Sequence, residues 1–273
     1  LTYIPLIAVF GLSFFKWGGT GAPEWNGINN YIKLFTTDPY FKESIKVTVY
    51  FSLLAVVGSM VYSLIVAMLL NRKIPARGFF RAVFYLPYVL PAAAVYIGWS
   101  WLYNTEWGLF NYILSKLGIE RLMFVSSSSQ VVPSLALIAV WLSGNLIVIF
   151  LAGLQNVPRV YHEAAEIDGA NAWQRFWHVT FPSMTPIIFY NMLMSLITNM
   201  QVVTPALALT KGGPGKSSYF MSYMLYNYAF KQRGKIGLAC AIAFVLFLLI
   251  GAFTLLLFAT SKSWIFYEGG DDK

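Results

Sequence analysis

The residues best suited to chemistry lie in a polar segment, 161–182, of an otherwise very apolar chain. After Tyr161, this segment continues with His162, Glu163, two alanines and Glu166. A zinc-binding helix of the H-E-x-x-H type needs a second histidine where Glu166 stands, so the pattern indicates no metal site. His178 is the other histidine of the sequence, and we expect both histidines to be ordinary polar groups at the surface.

A second motif, Gly215-Lys216-Ser217, is similar to the end of a phosphate-binding loop. That loop requires a glycine five positions before Gly215, where the sequence has Thr210. We therefore expect no catalytic residue, no metal and no cofactor in this chain. If the protein uses nucleotide energy, a separate subunit binds ATP and Mg²⁺.

Composition indicates a membrane protein. Hydrophobic residues make up 58% of the sequence and charged residues 11%, whereas soluble domains carry roughly 25% charged residues. Several apolar runs reach ~20 residues, which is the helix length that crosses ~30 Å of hydrocarbon. The sequence therefore predicts an all-α, polytopic membrane protein of about six transmembrane helices. The predicted spans are 1–15 (shortened at its start), 47–70, 82–103, 131–154, 186–209 and 236–260.

The remaining bulk properties agree with this class. The net charge of +8 is dispersed over short loops beside the spans, which is typical of membrane proteins rather than of nucleic-acid binding. Because basic residues lie on both sides of the predicted spans, the charge count leaves the orientation open. Cys240 is the single cysteine, so no intramolecular disulfide forms. We predict a kink at Pro87 and Pro91 of the third span, where helical hydrogen bonds are lost.

The polar segment, about 155–185, separates the fourth span from the fifth and must face water or a partner protein. We predict two short helices broken at Gly169, with Glu163 and Glu166 early in the first helix, where carboxylates interact favourably with the helix dipole. Aromatic residues 173, 176 and 177 are predicted to share one side of the second helix, which Pro182 ends. A helix lying on anionic lipid is usually basic, so the acidic residues of this segment favour a protein partner.

The same segment is similar to the EAA loop of permease subunits in binding-protein-dependent ABC importers. The matching residues are Glu163-Ala164-Ala165, Asp168-Gly169-Ala170 and Val179-Thr180-Phe181-Pro182. Other parts of the chain resemble the sugar-permease branch, in particular the maltose-permease type, the first of its two permease subunits. These parts are Asn29-Asn30-Tyr31 with Phe35 and Phe41, Phe84 to Pro91, and Gly212-Gly213-Pro214 with Tyr226, Ala229-Phe230 and Gly234. Phe181 departs from the family, in which leucine is commoner.

This resemblance implies a single permease domain over residues 1–273, of the type I ABC importer permease fold, in the bacterial or archaeal cytoplasmic membrane. The implied partners are a second homologous permease, a dimer of ATP-binding subunits, an extracytoplasmic solute-binding protein, a carbohydrate substrate and membrane lipid, with no nucleic acid. The loop is expected in the cytoplasm, docked into a cleft of the ATPase. The expected coupling residues are Glu163, Ala164, Ala165, Asp168 and Gly169.

Candidate substrate contacts are neutral polar groups within the spans. By resemblance, Asn199 and Tyr88 match positions that face the sugar in related permeases, and Ser143 and Asn145 are further candidates; Trp99, Tyr190, Asn191 and Gln201 are the other such groups. Hydrogen bonding between helices is the alternative role for all of them. Spans two to six contain no Asp, Glu, Lys or Arg, which argues against an ion-coupled carrier or channel subunit. That class stays open, because backbone carbonyls can also bind sodium.

Overall fold

In the computed structural model, which describes residues 3–232 and 234–266, helices form nearly all of the regular structure, and the predicted all-α class is confirmed. Two-residue strands β1, Phe15–Lys16, and β2, Glu24–Trp25, pair antiparallel. The α-helices are α1 Tyr3–Leu12, α2 Asn29–Thr36, α3 Phe41–Asn71, α4 Arg77–Val89, α5 Ala92–Leu102, α6 Leu109–Lys116, α7 Val131–Trp141, α8 Gly144–Asn156, α9 Arg159–Ile167, α10 Ala172–Arg175, α11 Phe181–Met200, α12 Met221–Tyr226 and α13 Ile236–Ser261. The two ends of the predicted permease domain, residues 1–2 and 267–273, lie outside the described residues.

Four of the predicted spans correspond to long or paired apolar helices. Among the described residues, α3 and α13 are each long and apolar enough to cross a membrane. The pairs α4 with α5 and α7 with α8 qualify as two more spans if each bent pair is counted as one. At 31 residues, α3 is about 46 Å long at 1.5 Å per residue, which exceeds the hydrocarbon thickness.

The other two predicted spans differ from expectation. The first apolar run forms only the ten-residue α1. The fifth predicted span, 186–209, was wrong at both ends, because α11 begins at Phe181 and ends at Met200. After Met200 the chain leaves the helix for three residues, and helical structure resumes at Thr204 and Pro205. A π-helical turn, Ala206–Thr210, then follows. Neither α1 nor α11 meets the same length and apolarity criterion by itself.

The predicted break in the third span is confirmed. Helix α4 contains Pro87 and ends at Val89, and α5 begins at Ala92. Leu90, between them, has the extended values φ −70° and ψ 144°. This conformation is expected for a residue before a proline such as Pro91.

The described residues pack into two units. The first comprises 3–54, 91–138, 197–232 and 234–253. Its core joins α2, the start of α3, α12 and the first half of α13 through Leu34, Phe41, Met221, Met224 and Ile242, each fully buried. Asp38 lies three residues before α3 and caps its start, because its Oδ1 accepts hydrogen bonds from the backbone amides of residues 40 and 41.

The second unit comprises, among the described residues, 55–90, 139–196 and 254–266. Its core is formed where α3 packs with α8 and α11, through Ala67, Leu70, Phe150, Leu151 and Met184. Helix α4 also packs closely against α8 in this unit. The end of the polar segment and the start of α11 are therefore attached to buried helices.

Small polar residues form a buried stripe along α3 at steps of four or seven residues. They are Ser44, Thr48, Ser52, Ser59 and Ser63. In the first unit, Thr48 Oγ1 accepts a hydrogen bond from the amide of Met221 at 2.9 Å. In the second unit, Ser63 Oγ lies 2.9 Å from Ser143 Oγ. Small residues allow close helix approach within a membrane, and their hydroxyl groups bond across the contact.

Candidate functional site

The polar segment forms the two predicted helices, α9 and α10. Helix α8 ends at Asn156, and Pro158 stands at the N-cap of α9 in extended conformation, with φ −60° and ψ 131°. Because proline fixes φ and lacks an amide hydrogen, it suits the beginning of a helix. The chain therefore turns out of α8 and starts α9 within three residues.

The predicted break at Gly169 is confirmed, and its hydrogen bonds define a Schellman motif. Gly169 has φ 79°, in the left-handed region that favours glycine. Its amide donates to the carbonyl of Glu166 at 3.0 Å, and the amide of Ala170 donates to the carbonyl of Ala165 at 2.9 Å. Asp168 occupies the C-cap position of α9. Two carbonyl groups at the end of α9 are thereby satisfied within the turn.

Helix α10 begins with a capping box that our sequence analysis missed. Asn171 Oδ1 accepts from the amide of Gln174, and Gln174 Oε1 accepts from the amide of Asn171, both at 2.9 Å. The signal was present in the sequence, because an Asn followed three residues later by Gln is a helix-start pattern. Only two residues separate Asp168, the C-cap of α9, from Asn171, the N-cap of α10. The turn between the two helices is therefore short.

The expected position of two carboxylates within α9 was wrong. Because Pro158 caps the helix and Arg159 is its first residue, Glu163 lies in the middle of α9 and Glu166 lies in its last turn. Stabilisation by the dipole of the N-terminus does not reach that far along the helix. Glu166 instead forms an ion pair with Arg175 of α10, across the turn.

The outward side of α9 carries both an acid and apolar groups. Val160, Glu163, Ala164 and Ile167 follow the three- and four-residue spacing of one helix face, and all four are exposed. Ile167 is 87% exposed, which is a large exposure for a branched apolar side chain.

The other side of α9 borders a pocket of about 400 Å³. His162 and Glu166 line this pocket, as does Arg175 of α10. Its far wall is formed by residues at the ends of α3 and α8, including Asn71 and Leu154. The pocket and the exposed stripe thus occupy different sides of the same short helix.

The predicted aromatic side of the second helix is confirmed. Trp173, Phe176 and Trp177 form mutual ring contacts, with centroids 5.1–6.3 Å apart. The expectation that Pro182 ends this helix was wrong. A π-helical turn, Phe176–Thr180, continues α10 into α11, and the amide of Phe181 donates to the carbonyl five residues earlier. Pro182 is therefore the second residue of α11.

The candidate substrate contacts have different surroundings. Tyr88 in α4 is 49% exposed, and its ring centroid lies 5.7 Å from that of Tyr85. Ser143 is buried, and its hydroxyl group lies against Ser63 and donates to the carbonyl of Val140 at 2.6 Å. In the first unit, Asn199 is half-buried in the last turn of α11.

The remaining candidates also differ in their exposure. Asn145 is half-buried near the start of α8, and Tyr190 and Gln201 are exposed. Asn191 is buried, and its amide donates to the carbonyl of Ile187 at 2.9 Å. Trp99 is buried against Tyr103. The role of all these residues in substrate contact stays a prediction.

These features define a helical membrane protein with interrupted spans and an ordered polar helix pair between two of them. Over residues 59–263 the sequence matches the family described as binding-protein-dependent transport system inner membrane component. The chain belongs to this family and is an inner membrane permease component.

Curated relatives cover almost the whole chain. It is 36% identical to the probable ABC transporter permease protein YesP of Bacillus subtilis, over 99% of this chain and 88% of the relative. It is 36% identical to the multiple sugar-binding transport system permease protein MsmF of Streptococcus mutans, over 96% of this chain and 90% of the relative. It is 30% identical to the trehalose/maltose transport system permease protein MalF of Thermococcus litoralis, over 92% of this chain and 85% of the relative.

The fold is that of a solved importer. The crystal structure of a bacterial ABC transporter involved in import of the acidic polysaccharide alginate contains a similar chain, with a TM-score of 0.80 and 20% identity. The match covers 95% of this chain and 89% of that chain. A second structure of the alginate transporter, in complex with a periplasmic protein that holds an alginate pentasaccharide, matches with a TM-score of 0.79 and 19% identity. The type I permease fold predicted from the sequence is consistent with these neighbours.

Proposed function

We propose that this chain is the membrane subunit of an ATP-driven sugar importer, with α9 docked on a separate ATP-hydrolysing subunit. One observation carries the docking part. The outward stripe of α9 exposes Ile167 almost completely beside Glu163 and Ala164. An apolar side chain and a carboxylate, with a small residue between them, fit a cleft that has an apolar floor and a basic rim.

The geometry of the segment supports its movement as one body. The Schellman motif ends α9, the capping box starts α10, and the Glu166–Arg175 ion pair joins the two helices. The π-helical turn then continues α10 directly into α11. Displacement of α9 by a partner subunit is therefore transmitted to a membrane helix without a flexible joint.

Charge reversal at the stripe tests the docking. In the assembled importer, we expect Glu163→Lys to abolish uptake and to reduce co-purification of the ATPase. The matched control is Glu106→Lys, which reverses an exposed carboxylate in the segment between α5 and α7 and should leave both measurements unchanged. Wild-type uptake and full substrate-stimulated hydrolysis in Glu163→Lys and Ala164→Trp together would overturn the docking role.

The energy source separates this proposal from an ion-coupled carrier or channel. Uptake into vesicles should require ATP inside and persist when ionophores collapse the proton and sodium gradients. Uptake that survives ATP removal but stops with the ionophores would identify the alternative. The same vesicles test orientation, because a cysteine at Glu163, in a background without Cys240, should react with an impermeant maleimide only from the cytoplasmic side.

The substrate class rests on relatives whose names record sugars, including the multiple sugar-binding and trehalose/maltose systems. The expected path contacts are Asn199 and Tyr88, with Ser143 and Asn145 as weaker candidates. Tyr88 is the most exposed of these four residues. Its ring and that of Tyr85 form an accessible aromatic pair suited to a sugar face.

Substitutions at these positions test the path. We expect Asn199→Leu and Tyr88→Ala to lower uptake while ATP hydrolysis continues, because the substrate contact is removed without affecting α9. Tyr50→Ala, at an exposed tyrosine of α3, is the control. Unchanged uptake by the folded Asn199→Leu and Tyr88→Ala complexes would remove these residues from the path. Ligand identification on the cognate binding protein would name the sugar.

A further inference from the structure

An exposed apolar stripe runs along the outer side of helix α6. The stripe consists of Leu109, Tyr112 and Ile113 of α6 and of Leu117, the residue just after the helix. They follow the spacing of one helix face, and each is between 46% and 68% exposed. Ser115 is also exposed but lies off this stripe.

The opposite side of α6 is fixed by buried groups. Asn111 is 2% exposed, its Nδ2 donates to the carbonyls of Thr105 and Leu122 at 3.1 and 2.9 Å, and its Oδ1 accepts from the amide of Leu122. Phe110 packs on the rings of Tyr103 and Phe124. Because these contacts fix the rotation of α6 about its axis, the direction of the apolar stripe is also determined.

The stripe continues from the surface of a membrane helix. Trp101, in the last turn of α5, is 69% exposed and meets Trp107 edge to face, with centroids 5.9 Å apart. Trp107 is 61% exposed and lies two residues before α6. Trp and Tyr are enriched where membrane helices reach the headgroups. The exposed aromatic residues from Trp101 to Tyr112 therefore continue the exposed side of α5 along α6.

The charge within the stripe suits phospholipid headgroups. Lys116 Nζ lies 5.5 Å from the centroid of the Tyr112 ring, so its hydrocarbon stem covers apolar surface while its ammonium remains available to a phosphate. Arg121 is exposed just beyond the helix. The acids of the same segment, Glu106 and Glu120, lie outside α6.

We propose that the outer face of α6 lies in the headgroup region of the membrane leaflet at which α5 ends, with Tyr112 and Leu117 in contact with lipid. Lys116 then reaches the phosphates. This interfacial position holds the segment between α5 and α7 at a defined depth. The proposal goes beyond the transport function, and its test requires neither ATP nor substrate.

Fluorescence quenching in liposomes tests the depth. Cys240 is replaced by alanine, and single cysteines are placed by Tyr112→Cys, Leu117→Cys and, as the control, Ser115→Cys. Each variant is labelled with bimane, checked for a single elution peak, and reconstituted with its accompanying subunits. The liposomes contain phosphatidylcholine and phosphatidylglycerol, brominated either near the headgroup or near the chain end. Iodide serves as the aqueous quencher.

The labels at 112 and 117 should be quenched roughly twofold by shallow bromines, less by deep bromines and little by iodide, because an interfacial helix buries its apolar face only ~5–10 Å. The label at 115 should respond to iodide. Quenching of all three labels by iodide alone would place the stripe in water. Protection of 112 and 117 from every quencher would show that a protein covers it, and either result would overturn the proposal.

Discussion

Glu166 in the last turn of α9 forms an ion pair with Arg175, the last residue of α10, across the turn at Gly169. The two side chains are unequally accessible, since that of Glu166 is 59% exposed and that of Arg175 is 26% exposed. Both line the pocket behind α9. The ion pair therefore connects the helix that presents the exposed stripe to the helix that continues into α11.

Removal of the ion pair should affect coupling more than stability. Exposed ion pairs contribute only about 0.2–1 kcal/mol, so Glu166→Ala and Arg175→Ala should leave the apparent melting temperature nearly unchanged. We expect the number of substrate molecules taken up per ATP hydrolysed to fall in both variants, because α9 can then move without α10. Transport and hydrolysis are measured together in proteoliposomes.

The reversed pair is the control for this prediction. Glu166→Arg combined with Arg175→Glu restores an ion pair across the turn and should recover part of the coupling ratio. Glu106→Ala removes an exposed carboxylate elsewhere and should have no effect. A coupling ratio equal to that of the wild type in both single variants would contradict a connecting role for the pair.

Gly169 should tolerate asparagine better than alanine. A Cβ at this position meets no atom within 4 Å, so space is not limiting, but φ 79° is strained for alanine by about 1 kcal/mol. We expect Gly169→Ala to lower the apparent melting temperature and the affinity of the permease for its ATPase. Gly169→Asn should retain most of both, because asparagine adopts left-handed conformations more readily.

Gly98→Ala is the matched control, because Gly98 lies within α5, also has open space around it and has no positive φ. That substitution should maintain or slightly raise stability, since alanine is the better helix former. Equal effects of alanine at 98 and at 169 would show that the left-handed turn is not needed.

The sequence was sufficient for features whose causes are local. The break at Gly169, the kink before Pro91 and the aromatic contacts around Trp173 follow from residue type and spacing, and the capping box of Asn171 and Gln174 was equally readable. The start of α9 was misplaced because the contribution of Pro158 to helix initiation was underestimated. The π-helical turn before Pro182 has no distinct local pattern in the sequence.

Contacts between distant parts of the chain were beyond sequence reasoning. The bond between Ser63 and Ser143 joins residues 80 positions apart, and nothing around either serine identifies the other. Asp38 and Tyr228 are also hydrogen-bonded to each other, although they lie 190 positions apart. The sequence shows that a neutral polar group in a span needs either a hydrogen-bond partner or a cavity. Which of the two it has is determined by the packing of the helices.

The Asp38–Tyr228 hydrogen bond should contribute to the stability of the first unit. Tyr228 donates its hydroxyl proton to Asp38 Oδ2, while Oδ1 caps α3. Hydrogen bonds to charged groups contribute about 1.5–3 kcal/mol, so Tyr228→Phe should lower the apparent melting temperature. Tyr226→Phe, at a tyrosine whose ring centroid lies 5.5 Å from that of Phe230, is the control and should have a smaller effect.

The same bond predicts a dependence on alkaline pH. Burial, and then the bond to Asp38, raise the pKa of Tyr228 above its ordinary value of 10.0. Because the folded-state pKa is the higher one, this contribution is fully present below pH 10.0 and is lost as the pH rises further. The difference in melting temperature between wild type and Tyr228→Phe should therefore be constant from pH 7 to pH 10 and begin to narrow between pH 10 and pH 11. A difference that stays constant up to pH 11 would contradict the assignment.

Gly144 should be required for the position of the aromatic pair in α4. A Cβ at Gly144 would lie 2.7 Å from the carbonyl oxygen of Phe84 and 3.0 Å from Cα of Tyr85. Because these are backbone atoms, Gly144→Ala must push α4 away from α8, at a cost of about 1–3 kcal/mol. Gly251→Ala in α13, where a Cβ meets nothing within 4 Å, should be neutral.

The displacement of α4 should also change transport, since Tyr85 and Tyr88 move with its backbone. We expect Gly144→Ala to raise the substrate concentration needed for half-maximal uptake, whereas Gly251→Ala leaves it unchanged. Gly144→Ser should be at least as damaging as alanine, because it adds an oxygen to the same contact. Normal uptake by a destabilised Gly144→Ala variant would assign this close approach to packing alone, and would remove the aromatic pair of α4 from the translocation path.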